Sequence, residues 1–347
     1  MTALRSEAVS YTCVRTASSA NPMVPLMQQN PTPIRIGARG SRLSQVQAYK
    51  IQADLVKAMG GDPADADRLA PVILITTTGD RVQDRRLLEI GGKALFTKEI
   101  DEALLDGRID CAVHCVKDMP ALVPPGLAVA AHPEREDPRD AFICPTVSRL
   151  QDLPHGARLG TASLRRQAQS LHIRPDLKVE LLRGNVDTRL ARLEEGVADA
   201  IMLAYAGLKR LGLADKVAGL IDPMEAPPAP GQGALALQTR ESDANHPVIR
   251  ALHHATTDLT VAAERGALVA LEGSCRTAVG AYARLNGRTL DLVVEGLASD
   301  GSQRWRRTDR IDLPADAGSA RDAAFKLGLD LGEAVRRDGG DALTPPG

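Results

Sequence analysis

A cysteine that follows an apolar segment is the first candidate for chemistry in this chain of 347 residues. Residues 258–271 are rich in Ala, Val and Leu, which predicts a helix, and Gly273 is typical of a residue that ends one. Cys275 would then lie in a connecting loop, where its sulfur could serve as a covalent attachment point. The alternative is a packing cysteine, because cysteine is among the residues most often buried. Spacing alone favours packing, whereas the charges elsewhere in the chain favour attachment.

Cationic side chains gather where predicted strands give way to predicted helices. Thr161 and Ser163 follow such a strand at 158–160 and begin such a helix. Free backbone N–H groups and the helix dipole attract an anion at a junction of this kind. The cations near these junctions are Lys117, Arg165, Arg166, Arg183 and Arg189. Their grouping indicates recognition of carboxylates or phosphates by guanidinium forks, and the alternative is charge on helix surfaces.

Asp118 is the candidate for proton transfer. It follows an apolar run, stands beside Lys117 and is bounded by Pro120. A carboxylate in that position could carry a proton or hold a cationic nitrogen. The alternative is an ion-paired aspartate in a loop, and the residues alone leave both open. His114, in the preceding apolar run, is more typical of a hydrogen-bonded structural histidine than of a base.

The overall composition argues against a nucleic acid or a membrane as partner. Basic and acidic residues nearly cancel, 43 against 44, so no net basic field recruits nucleic acid. One Trp, four Tyr and three Phe leave few rings for stacking on bases. No apolar run approaches the roughly 20 residues that a membrane helix needs. The clustered arginines therefore indicate a small polyanionic ligand.

The cysteines and the N-terminal residues bear on location. Five cysteines, at positions 13, 111, 115, 144 and 275, are an odd number without the spacing of a disulfide framework. They predict reduced thiols and a cytoplasmic protein. Cys111 and Cys115 lack the further partners of a zinc site. Residues 1–33 lack a continuous apolar signal segment and are predicted to be a disordered or extra tail, with a transit peptide as the alternative.

Short apolar runs alternate with helical segments from residue 34 onward, which predicts α/β domains with largely parallel sheets. Loops at the carboxyl ends of such strands are where open α/β sheets bind ligands. A polar break at 134–140 precedes a second run of the same style, and a proline-rich stretch at 223–230 marks another crossing. From about residue 255, three strand-like runs and two helices predict a small α+β domain.

Several short motifs stand in one order along the chain. They are Arg39-Gly40-Ser41 with Gln47, and residues 92–99, 114–120, 135–140, 160–167, 183–186, 230–233 and 272–275. Together they resemble the porphobilinogen deaminase family, whose members are also called hydroxymethylbilane synthases. The resemblance is strong from residue 34 to about 280 and looser beyond.

The resemblance implies a fold of three domains. The first two are α/β domains similar to periplasmic binding proteins, at 34–133 with 230–253 and at 138–228. The third, at 255–347, is α+β and carries the cysteine. The implied activity is that of a transferase in tetrapyrrole biosynthesis, which condenses four porphobilinogen molecules head to tail and releases ammonia each time. A dipyrromethane primer, held by a thioether to Cys275, is the implied cofactor.

The same resemblance assigns roles to residues of this chain. Asp118 is the implied catalytic acid and also contacts the cofactor. The other implied cofactor-binding residues are Cys275, Lys117, Thr161, Ser163, Arg165, Arg166, Arg189 and Gly207. The implied substrate-binding residues are Arg39, Ser41, Gln47, Arg183 and Arg210, and no metal is implied. Two positions depart from the family: Cys115 replaces a common serine, and Asp187 stands where glycine is frequent.

The partner expected is porphobilinogen, without nucleic acid or membrane, and a monomer is expected. Two other classes of protein remain as alternatives. A two-lobed anion-binding protein would release its ligand reversibly and would not depend on Cys275. An enzyme that turns over Cys275 as a nucleophile would react with iodoacetamide in its resting state, which a thioether would resist.

Overall fold

The computed structural model of the chain describes residues 32–81, 97–271 and 277–343, and of residues 80 and 81 it describes the backbone alone. Cys275, Gly273, Cys13, most of the loop at 79–92 and nearly all of the tail at 1–33 therefore lie outside the described residues. What the sequence predicts for them stays a prediction.

Most predicted elements are present within a few residues of the expected bounds. The strands of the described residues are β1 (Ile36–Arg39), β2 (Val72–Ile75), β3 (Cys111–Cys115), β4 (Leu127–Ala131), β5 (Asp140–Ile143), β6 (Arg158–Gly160), β7 (Lys178–Glu180), β8 (Ala200–Ala204), β9 (Gly219–Leu220), β10 (Leu235–Arg240), β11 (Ala278–Asn286), β12 (Thr289–Leu297) and β13 (Arg304–Asp312). The helices are α1 (Arg42–Ala58), α2 (Ala66–Leu69), α3 (Thr78–Arg81), α4 (Lys98–Leu105), α5 (Leu164–Ile173), α6 (Val186–Glu194), α7 (Tyr205–Arg210), α8 (Pro247–Arg250), α9 (Ala255–Leu271) and α10 (Ala317–Gly339). In this part of the chain no helix is long and apolar enough to cross a membrane.

The first sheet has the strand order β2-β1-β3-β10-β4. β1 pairs in parallel with β2 and β3, whereas β10 is antiparallel to both β3 and β4. Four of these five strands therefore run in the same direction, as expected for a largely parallel sheet, and β10 is reversed because it comes from much later in the chain and enters between two earlier strands.

α1 fixes the carboxyl end of β1. The side chain of Ser41 accepts a hydrogen bond from the N–H of Ser44 at 3.4 Å and so begins the helix. Ile51, Leu55 and Val56 form the buried face of α1 and belong to the main core of the first sheet. The residues between β1 and α1 are therefore anchored on both sides.

The second sheet has the order β7-β6-β8-β5-β9 and is also mixed. β6 is parallel to β7 and β8, whereas β5 is antiparallel to β8 and β9. Ser163 caps α5 and Asn185 caps α6, so both strand-to-helix junctions that the sequence predicts are present. These two junctions, after β6 and after β7, lie at neighbouring strands because β6 and β7 pair directly.

The last part of the chain forms an antiparallel sheet, β11-β12-β13, against which α9 and α10 pack. The two helices touch closely at Gly266, where an added side-chain carbon would lie 2.1 Å from the carbonyl oxygen of Phe325. Glycine is required there because nothing larger fits between the helices. The predicted fold class, two α/β units with a small α+β unit, is confirmed.

A buried ion pair joins the three sheets. Glu264 of α9 is fully buried and accepts hydrogen bonds from Nη1 and Nη2 of Arg135 at 2.8 and 2.9 Å. It also accepts the backbone N–H groups of Gly231 at 2.6 Å and of Ala283 at 2.9 Å. Arg135 lies between β4 and β5, and Gly231 between β9 and β10. Both connections between the first two sheets are thus tied to the third.

Candidate functional site

Residues at the carboxyl ends of β1 and β3 line a cavity of about 60 Å³ in the first sheet. The predicted site residues among its lining are Arg39, Ser41, Gln47 and Asp118. They meet because parallel neighbours such as β1 and β3 end at the same edge of a sheet. Cys115 also lines the cavity, and its Sγ lies 3.3 Å from Nε2 of Gln47. The thiol that replaces the expected serine therefore contacts a predicted substrate-binding residue.

Lys117 and Asp118 lie in a short 3-10 turn directly after β3. Asp118 is exposed, so its carboxylate is accessible to a ligand in the cavity. Lys117 is half-buried, and its Nζ lies 3.4 Å from Oε1 of Gln232. Burial lowers the pKa of Lys117, and the neighbouring carboxylate of Asp118 partly opposes that change. An acid and a cation that differ in exposure thus stand side by side at the end of one strand.

Thr161 and Ser163 organise the start of α5 on the second sheet. The hydroxyl oxygen of Thr161 accepts the N–H of Ser163 at 3.1 Å, and that of Ser163 accepts the N–H of Arg166 at 3.4 Å. Both hydroxyl groups therefore shape the first turn of the helix. Arg165 and Arg166 follow in that turn, where their side chains are 5 and 6 % exposed. The alternative of helix-surface charge is wrong for these two arginines, because both are buried.

Asp140 is the partner of these two arginines. Its Oδ2 lies 2.7 Å from Nη1 of Arg165, and its Oδ1 lies 2.8 Å from Nη2 of Arg166. Gln232 donates a further hydrogen bond from Nε2 to Oδ1 at 2.8 Å. Burial alone would raise the pKa of Asp140, but the two guanidinium groups hold it well below its usual range. The arginines are therefore fixed by a buried counter-ion, and their contact with a ligand stays a prediction.

Gln232 links the two halves of the site. Its Nε2 also donates to the carbonyl oxygen of Pro138 at 2.8 Å, and its Oε1 is 3.4 Å from Nη2 of Arg166 as well as from Nζ of Lys117. One buried amide thus contacts the loop after β3, the connection into β5 and α5. Neither Gln232 nor Asp140 has a role that the sequence predicts, although both stand in motifs that carry the resemblance.

Three more arginines surround this centre. Arg189 donates from Nε to the carbonyl oxygen of Gly184 at 2.9 Å, and Arg210 donates from Nη2 to that of Gly233 at 2.7 Å. Burial, together with the positive charges of Arg166 and Arg183, lowers the pKa of Arg189 to about 10. Like charges this close are a cost that an anionic ligand would relieve.

The two sheets face each other across the site. Gly207 of α7 approaches α1, since a side-chain carbon added to it would lie 3.5 Å from Leu43. Arg42, at the start of α1, forms an ion pair of 2.8 Å with Asp187 of α6. Asp187, which departs from the family, therefore bridges the first and second sheets and does not pair with the arginines beside it in the sequence.

His114 is a buried residue that lines the cavity, and Asp101 is a buried residue of α4. Burial lowers the pKa of His114 to about 4, so its ring is neutral at pH 7. Burial raises the pKa of Asp101, on α4, to about 6, and contacts from Thr97 and Gln238 oppose that rise. Nε2 of His114 is buried and has no hydrogen-bond partner among the described residues, so the structural role that the sequence favours for this histidine stays a prediction.

The donor set fits a ligand with several carboxylates. Nε of Arg165 and Nη1 of Arg183 are buried and have no hydrogen-bond partner among the described residues. Guanidinium nitrogens of this kind pair best with carboxylate or phosphate oxygens. No group of three or more His, Cys, Asp or Glu side chains in the described ranges is arranged to hold a metal ion. A polycarboxylate is therefore the class of group that these residues suit.

Two family models match the chain. Residues 34–247 match "Porphobilinogen deaminase, dipyromethane cofactor binding domain", and residues 258–337 match "Porphobilinogen deaminase, C-terminal domain". A porphobilinogen deaminase of Caulobacter sp. (strain K31) is 62% identical over 312 residues, which are 90% of this chain and 98% of that protein. A porphobilinogen deaminase of Phenylobacterium zucineum (strain HLK1) is 62% identical over 317 residues, which are 90% of this chain and 98% of that protein.

Solved structures align more distantly. A nutrient-binding protein of Burkholderia cenocepacia bound to methionine is 16% identical with a TM-score of 0.39, over 63% of this chain and 89% of its own. A periplasmic substrate-binding protein of an ABC transporter from Coxiella burnetii is 14% identical with a TM-score of 0.37, and the alignment covers 63% of this chain and 89% of that protein. Scores this low carry no argument about the ligand of this chain.

Proposed function

Because the chain belongs to the porphobilinogen deaminase family, we propose that it is a hydroxymethylbilane synthase, a transferase of tetrapyrrole biosynthesis. It condenses four porphobilinogen molecules head to tail and releases one ammonia for each. The observation that carries this proposal is the exposed carboxylate of Asp118 at a cavity edged by Arg39, with Lys117 beside it. Such a site combines an acid for an amino group with cations for carboxylates.

Asp118 is the residue that moves the proton. Its carboxyl group donates a proton to the amino group of the substrate, so that the C–N bond breaks and ammonia leaves. Its carboxylate then takes back the proton that a pyrrole carbon loses when the new C–C bond forms, so protons balance over one cycle. The exposed position of Asp118, at the end of β3 and on the wall of the cavity, supports this role.

A dipyrromethane group on Cys275 supplies, when bound, the pyrrole carbon that is extended. The residues proposed to hold its carboxylates and backbone are Lys117, Asp118, Thr161, Ser163, Arg165, Arg166, Arg189 and Gly207. The buried Nε of Arg165, which has no partner among the described residues, supports a carboxylate at this position. The lowered pKa of Arg189 supports the same reading, because a carboxylate would offset the neighbouring positive charges.

The incoming porphobilinogen is proposed to lie on the first-sheet side of the cleft. Its carboxylates would meet Arg39, Ser41, Gln47, Arg183 and Arg210. The first three line the cavity that contains Asp118, which supports this arrangement. Nη1 of Arg183, which has no hydrogen-bond partner within the described part of the chain, offers a donor from the facing sheet.

The division into domains at 34–133 with 230–253, 138–228 and 255–347 is proposed from membership of the family, and the insertion of β10 between β3 and β4 supports it.

We further propose a cytoplasmic monomer. Cys111, Cys115 and Cys144 are free thiols, as a reducing compartment allows. Light scattering of the purified protein during size exclusion measures the oligomeric state, and a mass of twice 36.9 kDa would contradict the monomer.

The first experiment is the intact mass of the denatured protein beside its Cys275→Ser variant. We expect the parent to exceed the bare chain by two pyrrole units after incubation with porphobilinogen, and the variant to match the bare chain. An excess in both proteins would refute the attachment point. Alkylation of Cys275 by iodoacetamide in the loaded parent would favour a free nucleophilic cysteine instead.

The second experiment measures ammonia release and porphobilinogen consumption for Asp118→Asn. The variant should fold as the parent does, because Asp118 is exposed, and should lose turnover. Asp106→Asn is a matched control, since Asp106 is also an exposed acid but lies beyond α4 and pairs with Arg108. Normal turnover in Asp118→Asn would refute the proposed function of this residue.

A further inference from the structure

Glu295 is a buried carboxylate in the third sheet, on the strand β12, and its side chain is 1 % exposed. It accepts a hydrogen bond from Nε2 of Gln169 at 2.9 Å and lies 3.3 Å from Nη1 of Arg306. A charge buried to this extent is costly unless its partners satisfy it. Gln169 belongs to α5 of the second sheet, so the carboxylate of one sheet reaches into the helix that carries Arg165 and Arg166.

Glu295 determines which way the amide of Gln169 points. Nε2 of Gln169 donates both to Glu295 and to the carbonyl oxygen of Pro227, the latter at 2.9 Å. An ionised carboxylate and a carbonyl can only accept. The reverse orientation would set the amide oxygen against two acceptors. Oε1 of Gln169 must therefore face the other way, where Nη1 of Arg165 lies 2.8 Å from it.

The third sheet also brings the second acceptor into place. Gly280 pairs with Glu295 across β11 and β12. A side-chain carbon added at Gly280 would lie 2.5 Å from the carbonyl oxygen of Pro227. Only glycine lets this carbonyl approach the strand so closely. The same oxygen accepts a hydrogen bond from Nη1 of Arg165 at 3.2 Å.

Arg165 is consequently held at one corner of its guanidinium group. Nη1 contacts Asp140, Gln169 and the carbonyl of Pro227, and all three contacts are made by this one nitrogen. Nε is buried and has no partner among the described residues. The network orients the guanidinium plane through Nη1 and leaves its other edge for a ligand.

We infer that Glu295 is a positioning residue, which acts through the amide of Gln169 to orient Arg165 toward a ligand carboxylate. The inference rests on the proposed function only for the identity of that ligand. A different reading is that Glu295 merely attaches the third sheet to the second. The two readings differ in whether a change at Glu295 acts on ligand binding through Arg165.

The test compares three variants. Glu295→Met removes the acceptor at similar volume, and Gln169→Met removes the amide that connects Glu295 to Arg165. Glu295→Gln keeps an oxygen that can accept a hydrogen bond from Gln169. We expect both methionine variants to raise about tenfold the porphobilinogen concentration at which Cys275 is half-loaded with its dipyrromethane group, as read by intact mass. A tenfold change is the effect of one lost hydrogen bond to a charged group. Glu295→Gln should restore most of the affinity. Asp291→Asn replaces an acid four residues earlier on β12 that pairs with Arg310, and it should leave this concentration unchanged.

Two further measurements separate positioning from attachment. In an Arg165→Leu background, Glu295→Met should add no further rise in this loading concentration, and an unchanged tenfold effect there would overturn the inference. Nitrogen-15 NMR of the arginine side chains, with the Arg165 signal assigned by Arg165→Leu, reads the restraint on this group directly. We expect slow rotation of this guanidinium in the parent and faster rotation in either methionine variant, while Asp140 still contacts it.

The NMR experiment also separates the two proposals. If the parent fails to consume porphobilinogen, the proposed function is refuted, while a loss of restricted rotation in Glu295→Met still supports the positioning role. If the parent is active and Glu295→Met keeps both the loading concentration of the parent and the restricted Arg165 signal, the positioning role alone is refuted. If Glu295→Met does not fold, Gln169→Met decides in the same way.

Discussion

Asp140→Asn tests the buried centre of the site most directly. The change keeps the shape of the side chain but removes the only full negative charge within hydrogen-bond distance of Arg165 and Arg166 among the described residues. The three side chains are between 2 and 6 % exposed, so water cannot replace the lost charge. Removing one partner of a buried ion pair typically costs about 3–5 kcal/mol. We expect a loss of unfolding free energy in that range for Asp140→Asn.

The pH dependence of this effect follows from the depressed pKa of Asp140. A carboxyl group whose pKa is lowered by folding contributes stability above its unfolded pKa of about 3.9 and loses it only as the pH falls toward the folded value. The parent and Asp140→Asn should therefore differ by the same amount at pH 6 and at pH 8. The difference should shrink only in strong acid.

The assay is urea unfolding at both pH values, followed by circular dichroism and by intrinsic fluorescence. Asp152→Asn is the control, because Asp152 forms an ion pair with Arg149 at the surface, where such pairs contribute about 0–1 kcal/mol. An Asp140→Asn protein as stable as Asp152→Asn would refute the reasoning, since it would mean that two buried guanidinium groups tolerate the loss of their counter-ion.

Three further predictions concern other groups. Glu264→Gln should lower the free energy of unfolding by about 3 kcal/mol or more, because the guanidinium group of Arg135 loses its buried counter-ion. The urea midpoint should fall accordingly, and an unchanged midpoint would contradict this. Asp101→Asn should be more stable than the parent at pH 8 by up to roughly 3 kcal/mol, since a pKa raised from 3.8 to about 6 removes stability as pH rises through that interval. The gain should vanish near pH 4, and a gain that persists there would exclude Asp101 as its source. Asp187→Asn should change stability by about 1 kcal/mol at most and less in high salt, because its pair with Arg42 is exposed; a larger loss would mean that this bridge holds the two sheets together.

Local signals in the sequence were sufficient for the elements that carry the site. A serine or asparagine before an apolar-periodic segment caps a helix through its own side chain, so Ser41 and Ser163 could be recognised without any knowledge of the rest of the fold. The loop bearing Lys117 and Asp118 follows β3 as expected, because a run of buried residues that ends in a charged pair marks the end of a strand.

What tertiary structure decided is which charges face one another. The direction of β10, the burial of Arg165 and Arg166, and the pairing of Asp187 with Arg42 all depend on segments that are far apart in the chain. Asp140 contacts Arg165 across 25 residues and Gln232 across 92. No periodicity or spacing reports contacts at such separations.

The sequence by itself determined the alternation of strands and helices, the caps, the fold class and the family, because each depends on neighbouring residues or on motifs that can be read in order. Only the folded chain decided that Asp140 is the counter-ion of two arginines, that Gln232 bridges both sides of the cleft and that Glu295 reaches α5 from the third sheet. The physical reason is that a buried charge selects its partner by proximity in space, and burial is a property of the packed chain.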